Sequence, residues 1–478
     1  MAVTSSGDGN FSSVIAGGLS VNDDVIIDHD VTLDGDAPNV NSLTINPSKT
    51  FTGGGNTVTI DDKDGSAYSF RARNGSTISG TLNIKVTGNG GYIRDSATGS
   101  INNLEVDLGS SSEVHYLDTA LSLTGNLTIT EGIFNTNASS NHALTVAGAL
   151  ANDGTLTLNG STVNLGSTST EAGDVTGSGT FNLDTSTINY HTAGGANFIP
   201  STSANFDTNT STFNLIGLNG SNRAHNFTFA SGNMHNITTS RGAGTDTHTD
   251  TLNGNCTITG NLTVGANSNF SSGTRVFTVN GDVNVTGQLI CNGSNKPMEF
   301  GGLEIASGGT YNATSGTTTL TDKISSGTYT NYMFHNGGTF THNKGTVHWK
   351  ADTSSGTWYA MNGSTSATQT EFYNISTERV RASGTEQYRF WTGGSGRHLT
   401  VLNNIDIGAN TRIFSSNGSG NFRNDGICDI SGILNIVNVT TVNMGAVTIE
   451  SGGELEFGDG NSVNVEGVRN VGGTVTVT

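Results

Sequence analysis

Three tryptophans stand close together in this 478-residue chain: Trp349, Trp358 and Trp391. Tyr359 and Tyr388 lie among them, with Arg379, Arg381, Arg389 and Arg397 nearby. Sugars stack their apolar faces on Trp and Tyr rings, while Arg, Asn and carboxylates bind the hydroxyls. A glycan site on this chain is therefore expected within 345–398, centred on Trp349, Trp358, Tyr359, Tyr388, Arg389 and Trp391. The same residues also suit a wider coil with larger core side chains, or a contact between subunits. Glycoside hydrolysis would need, in addition, two carboxylates about 5 to 9.5 Å apart. The segment offers Asp352, Glu371, Glu378 and Glu386. Nothing in their spacing selects a pair, so no catalytic residue is assigned and a non-enzymatic role is favoured.

Other chemistry is sparse. Six aspartates gather near the start: Asp23, Asp24, Asp28, Asp30, Asp34 and Asp36. Clustered carboxylates are hard ligands for calcium, with Asp23, Asp24, Asp28 and Asp30 as the candidates. The competing reading is acidic turns facing water. His335, His342 and His348 fall close together without the spacing of a known metal motif. Cys256, Cys291 and Cys428 are widely spaced and odd in number. That argues for buried small apolar residues and against a disulfide framework or zinc. There is no phosphate-cradling Gly-rich loop, no His-Glu-x-x-His and no nucleophile elbow. Sequons such as those at Asn126 and Asn261 read as turn chemistry. The net charge is −19, with 20 Lys and Arg against 39 Asp and Glu, which disfavours a nucleic-acid partner. No stretch reads as a signal peptide or a membrane span, so the expectation is assembly in a cytoplasm without membrane insertion.

The elements that must hold these residues are short strands. Residues 121–190 contain Leu121–Leu123, Leu127–Ile129, Leu144–Val146, Leu156–Leu158, Val163–Leu165 and Phe181–Leu183. Each run has apolar residues at i and i+2 with polar residues between, the period of a strand with one buried face. Gly, Asn, Ser and Asp between the runs suit tight turns. A chain this long exceeds one ordinary core, whereas a solenoid grows its core along one axis. The expected fold is all-β, a parallel β-solenoid (β-helix) of roughly 20 to 25 residues per coil with some inserted loops. Its expected divisions are an arm or cap (1–20), N-terminal coils (21–120), a central solenoid (121–328), aromatic and Arg-rich coils (329–398) and C-terminal coils (399–478).

Asp23–Ile27, Val31–Gly35 and Ser42–Ile45 resemble the opening of the eight-glycine domain found in bacterial and phage surface proteins. The strings GTFTHNKGTV and GNLTV resemble β-helical fibre, spike and surface proteins of bacteriophages. That resemblance implies a structural virion appendage, a tail or head fibre or a tailspike. It implies a homotrimer on the virion surface, assembled in the host cytoplasm among other virion proteins and contacting a host surface glycan. The alternatives are a polysaccharide-degrading tailspike and a bacterial surface adhesin or surface-layer protein at the cell surface.

Overall fold

Strand alternation and Gly/Asn turns generate a parallel β-solenoid of about 18 turns, with 53% strand and 1% helix. The computed structural model describes residues 1–15, 18–62, 68–193, 197–198, 205–218, 223–227, 233–241, 247–353, 359–364, 370–390, 398–415 and 420–478. The chain divides into two compact units. Unit 1 comprises Met1–His235 and Arg241–Asp246; unit 2 comprises Asn236–Ser240 and Thr247–Thr478.

In unit 1 a regular turn contributes three strands, one to each of three parallel sheets. Ala2–Thr4, Asp24–Ile27, Ser42–Ile45 and Phe70–Ala72 begin the first sheet, which continues to Asn205–Asp207. Inward positions superimpose along it: Val25, Leu43, Phe70, Ile93 and Leu117 occupy one column, each at most 1% exposed. Each such side chain contributes about 1.5–3 kcal/mol by leaving water. The first fifteen residues are not a free arm. They form a first turn and a short helix, Phe11–Val14, whose Phe11 and Val14 are buried over the end of the core.

Turn length varies while the strands stay in register. Leu121 pairs with Leu144 and Leu144 with Val163, so one turn is longer than the next although their inward leucine and valine columns still align. The Asn content has a structural cause. Asn214 Nδ2 donates to Asn189 Oδ1, and Asn189 Nδ2 to Asn164 Oδ1, both at 2.9 Å, a side-chain ladder parallel to the backbone one. At the corners, turn amides accept from the next coil: Asn126 Oδ1 takes the Ala149 N–H and Asn261 Oδ1 the Asp282 N–H, both at 2.8 Å. These are the two sequon asparagines singled out above. Gly99 shows how tightly coils meet: at φ +96°, a Cβ would lie 1.9 Å from Ile78 O.

In unit 2 the same plan holds from Leu262–Val264, His248–Leu252 and Cys256–Ile258 onward. The strand Val439–Ile449 pairs with both Gly420–Asn424 and Cys428–Ile430, replacing two strands with one. The three cysteines are free and buried, and burial pushes the thiols of Cys256 and Cys291 up to about 12.

Two groups make unit 1 respond to acid in opposite directions. His115 is buried with Nε2 2.6 Å from Ser69 Oγ, and desolvation pushes its pKa down to about 4 from 6.5. The folded state holds it neutral where the unfolded chain protonates it. That stability is complete above about 6.5 and is lost as pH falls towards 4. Burial instead pushes Asp95 up to about 6 from 3.8, against a hydrogen bond from the Ala97 N–H. Its penalty is felt above about 6 and is relieved as pH falls. Each effect is about 3 kcal/mol, so the two offset between about pH 6.5 and 4. Asp95→Asn should unmask His115: urea unfolding at pH about 4.5 should then show about 2 kcal/mol less stability than at about pH 7. An unchanged difference between the two pH values would refute this.

Candidate functional site

Strand parity decides where the predicted site residues go. In Thr346–Trp349, Val347 and Trp349 share the inward phase, so Trp349 is completely buried. Its Nε1 donates to Met361 O at 3.1 Å and its ring meets Phe372 edge-on at 5.4 Å. Tyr388 shares its inward phase with Phe390 and is also completely buried. Its hydroxyl accepts the Ala351 N–H at 3.0 Å and donates to Glu378 O at 3.2 Å, and burial raises its pKa. Both are core residues, so neither presents a ring to a sugar, which corrects the expectation for these two. Tyr359 and Arg389 are half-buried. Trp358, Trp391 and Arg397 lie outside the described residues.

The four carboxylates named from the sequence also separate. Glu386 is completely buried and accepts from the Thr353 N–H and Oγ1 (2.9 Å each), the Arg381 N–H (3.0 Å) and Arg381 Nε (3.1 Å). It clamps two turns together. Asp352 lies 3.7 Å from Arg381 Nε. Glu371 is exposed. Glu378, alone of the four, joins a larger group of polar, titratable side chains.

That group follows one outward column of unit 2. Register places Thr319, His348, Ser376, Asp406, Asp429, Thr448 and Arg469 side by side on successive strands. His348 contacts Ser376 Oγ through Nδ1 at 2.8 Å and Glu378 Oε2 through Nε2 at 3.2 Å. Lys350 Nζ lies 3.1 Å from Glu378 Oε1. The Lys350 hydrogen bond, helped by His348, holds Glu378 below the usual carboxylate range. Burial and the neighbouring Asp429 raise Asp406. Register sets Asp406 directly opposite Asp429 on neighbouring strands, which stand about 4.8 Å apart. Sequence reading missed this pair because Asp406 and Asp429 become neighbours only through coil register.

On another sheet of unit 2, the insertion between Thr317–Leu320 and Phe334–Asn336 assembles an aromatic group. Tyr329 stacks on His335 with ring centroids 3.4 Å apart, and Tyr332 meets His335 edge-on at 5.8 Å. Lys323 Nζ lies 5.3 Å from the centre of the Tyr359 ring. Tyr329, Tyr332 and Tyr359 remain partly open to solvent. In unit 1, Tyr68, Tyr92 and Tyr116 form a ladder with centroid distances of 6.1 and 5.4 Å. Tyr68 donates to Asp118 Oδ2 at 2.8 Å, and Arg71 covers the Tyr68 ring at 4.7 Å. Their even spacing, one coil from each to the next, is the signal that marks them in the sequence. Tyr92 and Tyr116 stack, Tyr68 is tilted against Tyr92, and Tyr92 is exposed.

The early aspartates act as coil-to-coil acceptors. Asp36 Oδ1 takes the Thr57 N–H and Asp30 Oδ1 the Thr50 N–H, both at 2.8 Å. Asp24 accepts from Ser42 and Asn41 and Asp28 from Asn46, whereas Asp23 accepts within its own turn from Ser20. Among the described residues, no three His, Cys, Asp or Glu side chains converge as a metal site. Among them, too, no helix is long and apolar enough to cross a membrane. A scan against family models and searches of curated proteins and of solved structures found no match.

Proposed function

We propose that this chain is a structural component of a virion appendage, a fibre or spike on the particle surface, that contacts a glycan of the host cell. The partly exposed Tyr329 and Tyr332, packed on the buried His335, and the partly exposed Tyr359 with Lys323 carry the contact. It joins open ring area to a cation on an otherwise acidic chain, the combination that suits a sugar acid or an anionic polysaccharide. Outward Asn, Thr and Ser ladders support a mainly structural role, since they commit polar side chains to coil-to-coil bonds. The chain works as a homotrimer beside other virion proteins. Light scattering should give about three times the 49.2 kDa chain mass, and a purely monomeric species would count against assembly. Tyr332→Ala should leave particles intact and weaken adsorption to host cells about fivefold, the effect of losing about 1 kcal/mol of ring stacking. Unchanged adsorption by a folded variant, or absence of the chain from purified particles, would sink the reading.

The Asp406–Asp429 pair favours a second reading, hydrolysis of a surface polysaccharide. Asp406, held up by burial and by Asp429, suits a proton donor, with Asp429 opposite it as the second carboxylate. Asp406→Asn and Asp429→Asn should each abolish release of reducing ends from host capsule. Equal release by both variants, or none from the wild type, removes this reading.

A further inference from the structure

We propose that unit 1 binds a carboxylate-bearing sugar on the outward side of its first sheet, with Arg71 as the group that takes the carboxylate. Coil register builds the site. Thr44, Arg71 and Arg94 lie side by side on three successive strands. Phe70, Ala72 and Ile93 hold the inward phase, so both arginines point outward from directly opposed positions. Two residues before Arg94, Tyr92 stands opposite Tyr116.

Like charges set directly opposite on neighbouring strands repel. Arg94 is answered: its Nη1 lies 3.4 Å from Asp118 Oδ2 and 3.4 Å from the Tyr68 hydroxyl. Arg71 is not. Its Cζ sits 4.7 Å from the centre of the Tyr68 ring, and among the described residues its side chain makes no ion pair or hydrogen bond. The Nε is shielded from solvent, which leaves the two terminal nitrogens as the donors a ligand meets. A single surface arginine would be an ordinary solvated charge. Arg71 is half-buried, held over a ring and set against a second arginine, so its guanidinium is positioned before any ligand arrives. Its planar fork of donors matches a carboxylate, and a bound carboxylate relieves the repulsion from Arg94.

The surrounding side chains select a sugar. Tyr68, Tyr92 and Tyr116 follow one another coil by coil, with ring centroids 6.1 and 5.4 Å apart, and Tyr92 is 37% exposed. Tyr68 donates its hydroxyl to Asp118, whereas those of Tyr92 and Tyr116 hold no partner among the described residues. Ring area and uncommitted hydroxyls beside one unanswered cation fit a saccharide that carries a carboxylate. Asp118 disfavours a densely acidic peptide or a nucleic-acid strand. The site belongs to unit 1 and shares no residue with the Tyr329 and Tyr332 contact of unit 2, so either reading can fail without the other.

The test titrates the whole chain with oligogalacturonate by calorimetry, against its carboxyl-reduced form and against polyglutamate. Saturable binding of the acidic sugar is expected, at least about tenfold tighter than that of either other probe. Arg71→Gln should weaken it at least about tenfold, the loss of a charge-assisted pair, and Tyr92→Ala about fivefold. Asp118→Asn should tighten it about two- to fivefold, because Arg94 loses its counter-ion, a gain that a misfolded chain cannot give. The effect of Arg71→Gln should persist in a Tyr332→Ala background, which separates this site from the contact on unit 2. If Arg71→Gln loses its β circular dichroism, Tyr92→Ala and Asp118→Asn decide. Absence of saturable binding, equal binding of the reduced sugar or of polyglutamate, or unchanged affinity in the folded variants overturns the proposal.

Discussion

Replacing Glu386 by Ala should destabilise unit 2 by about 3–5 kcal/mol, the range for stripping one partner from a buried ionic group. Glu386 is completely buried and receives four hydrogen bonds, two from Thr353 and two from Arg381. Without the carboxylate, the Thr353 N–H and hydroxyl lose their acceptor, and the Arg381 guanidinium, 16% exposed, loses its main counter-charge. Burial alone would raise the carboxyl pKa, but the bonds from Thr353 and Arg381 outweigh it and hold Glu386 below the usual range. A depressed folded pKa means the stabilisation is present above the unfolded value and is lost as pH falls through the folded one. The gap between wild type and Glu386→Ala should therefore shrink in acid. Glu386→Gln should fall between the two, because it keeps one acceptor oxygen but turns an NH₂ towards donors. Urea unfolding of the three proteins at neutral and acid pH checks this. A loss below about 1 kcal/mol in Glu386→Ala, within the range of exposed pairs, would show that the clamp is not formed.

Trp349→Ala should cost about 3–5 kcal/mol, the range for deleting a buried large aromatic. Trp349 is completely buried, its indole N–H is satisfied by Met361 O, and its ring abuts Phe372. Truncation removes that area from the core, leaves a cavity and orphans a buried carbonyl. Trp349→Phe should cost less, because it retains most of the volume and loses the hydrogen bond. Thermal and urea unfolding measure both variants. A glycan-contacting tryptophan would behave differently: its alanine variant would fold normally and lose adsorption. Normal stability of Trp349→Ala would place the ring at the surface and contradict its packing.

The architecture is legible in short stretches of sequence. Runs such as Leu127–Ile129 and Leu144–Val146 alternate apolar and polar residues, and Gly or Asn between them permits the turns. Those signals are local, and they suffice for stacked parallel strands. Parity is equally legible for Trp349, which shares the phase of Val347, and for Tyr388, which shares that of Phe390. The composition of the 329–398 segment points to its aromatics as a surface site, although this alternation already places both rings in the core. Which outward residues meet is a different matter, fixed only in the folded chain. The step from Leu121 to Leu144 is longer than that from Leu144 to Val163, and the step from Leu303 to Phe334 is longer still. The neighbour of a given side chain therefore cannot be counted off at a fixed interval. Asp406 faces Asp429 and Glu386 reaches Thr353 because coil register, set by loops of unequal length, brings them together. Side-chain phase depends on the next residue or two and is written locally. Lateral contact depends on the summed length of every intervening turn, which the backbone hydrogen bonds of the stacked coils settle only when the chain folds.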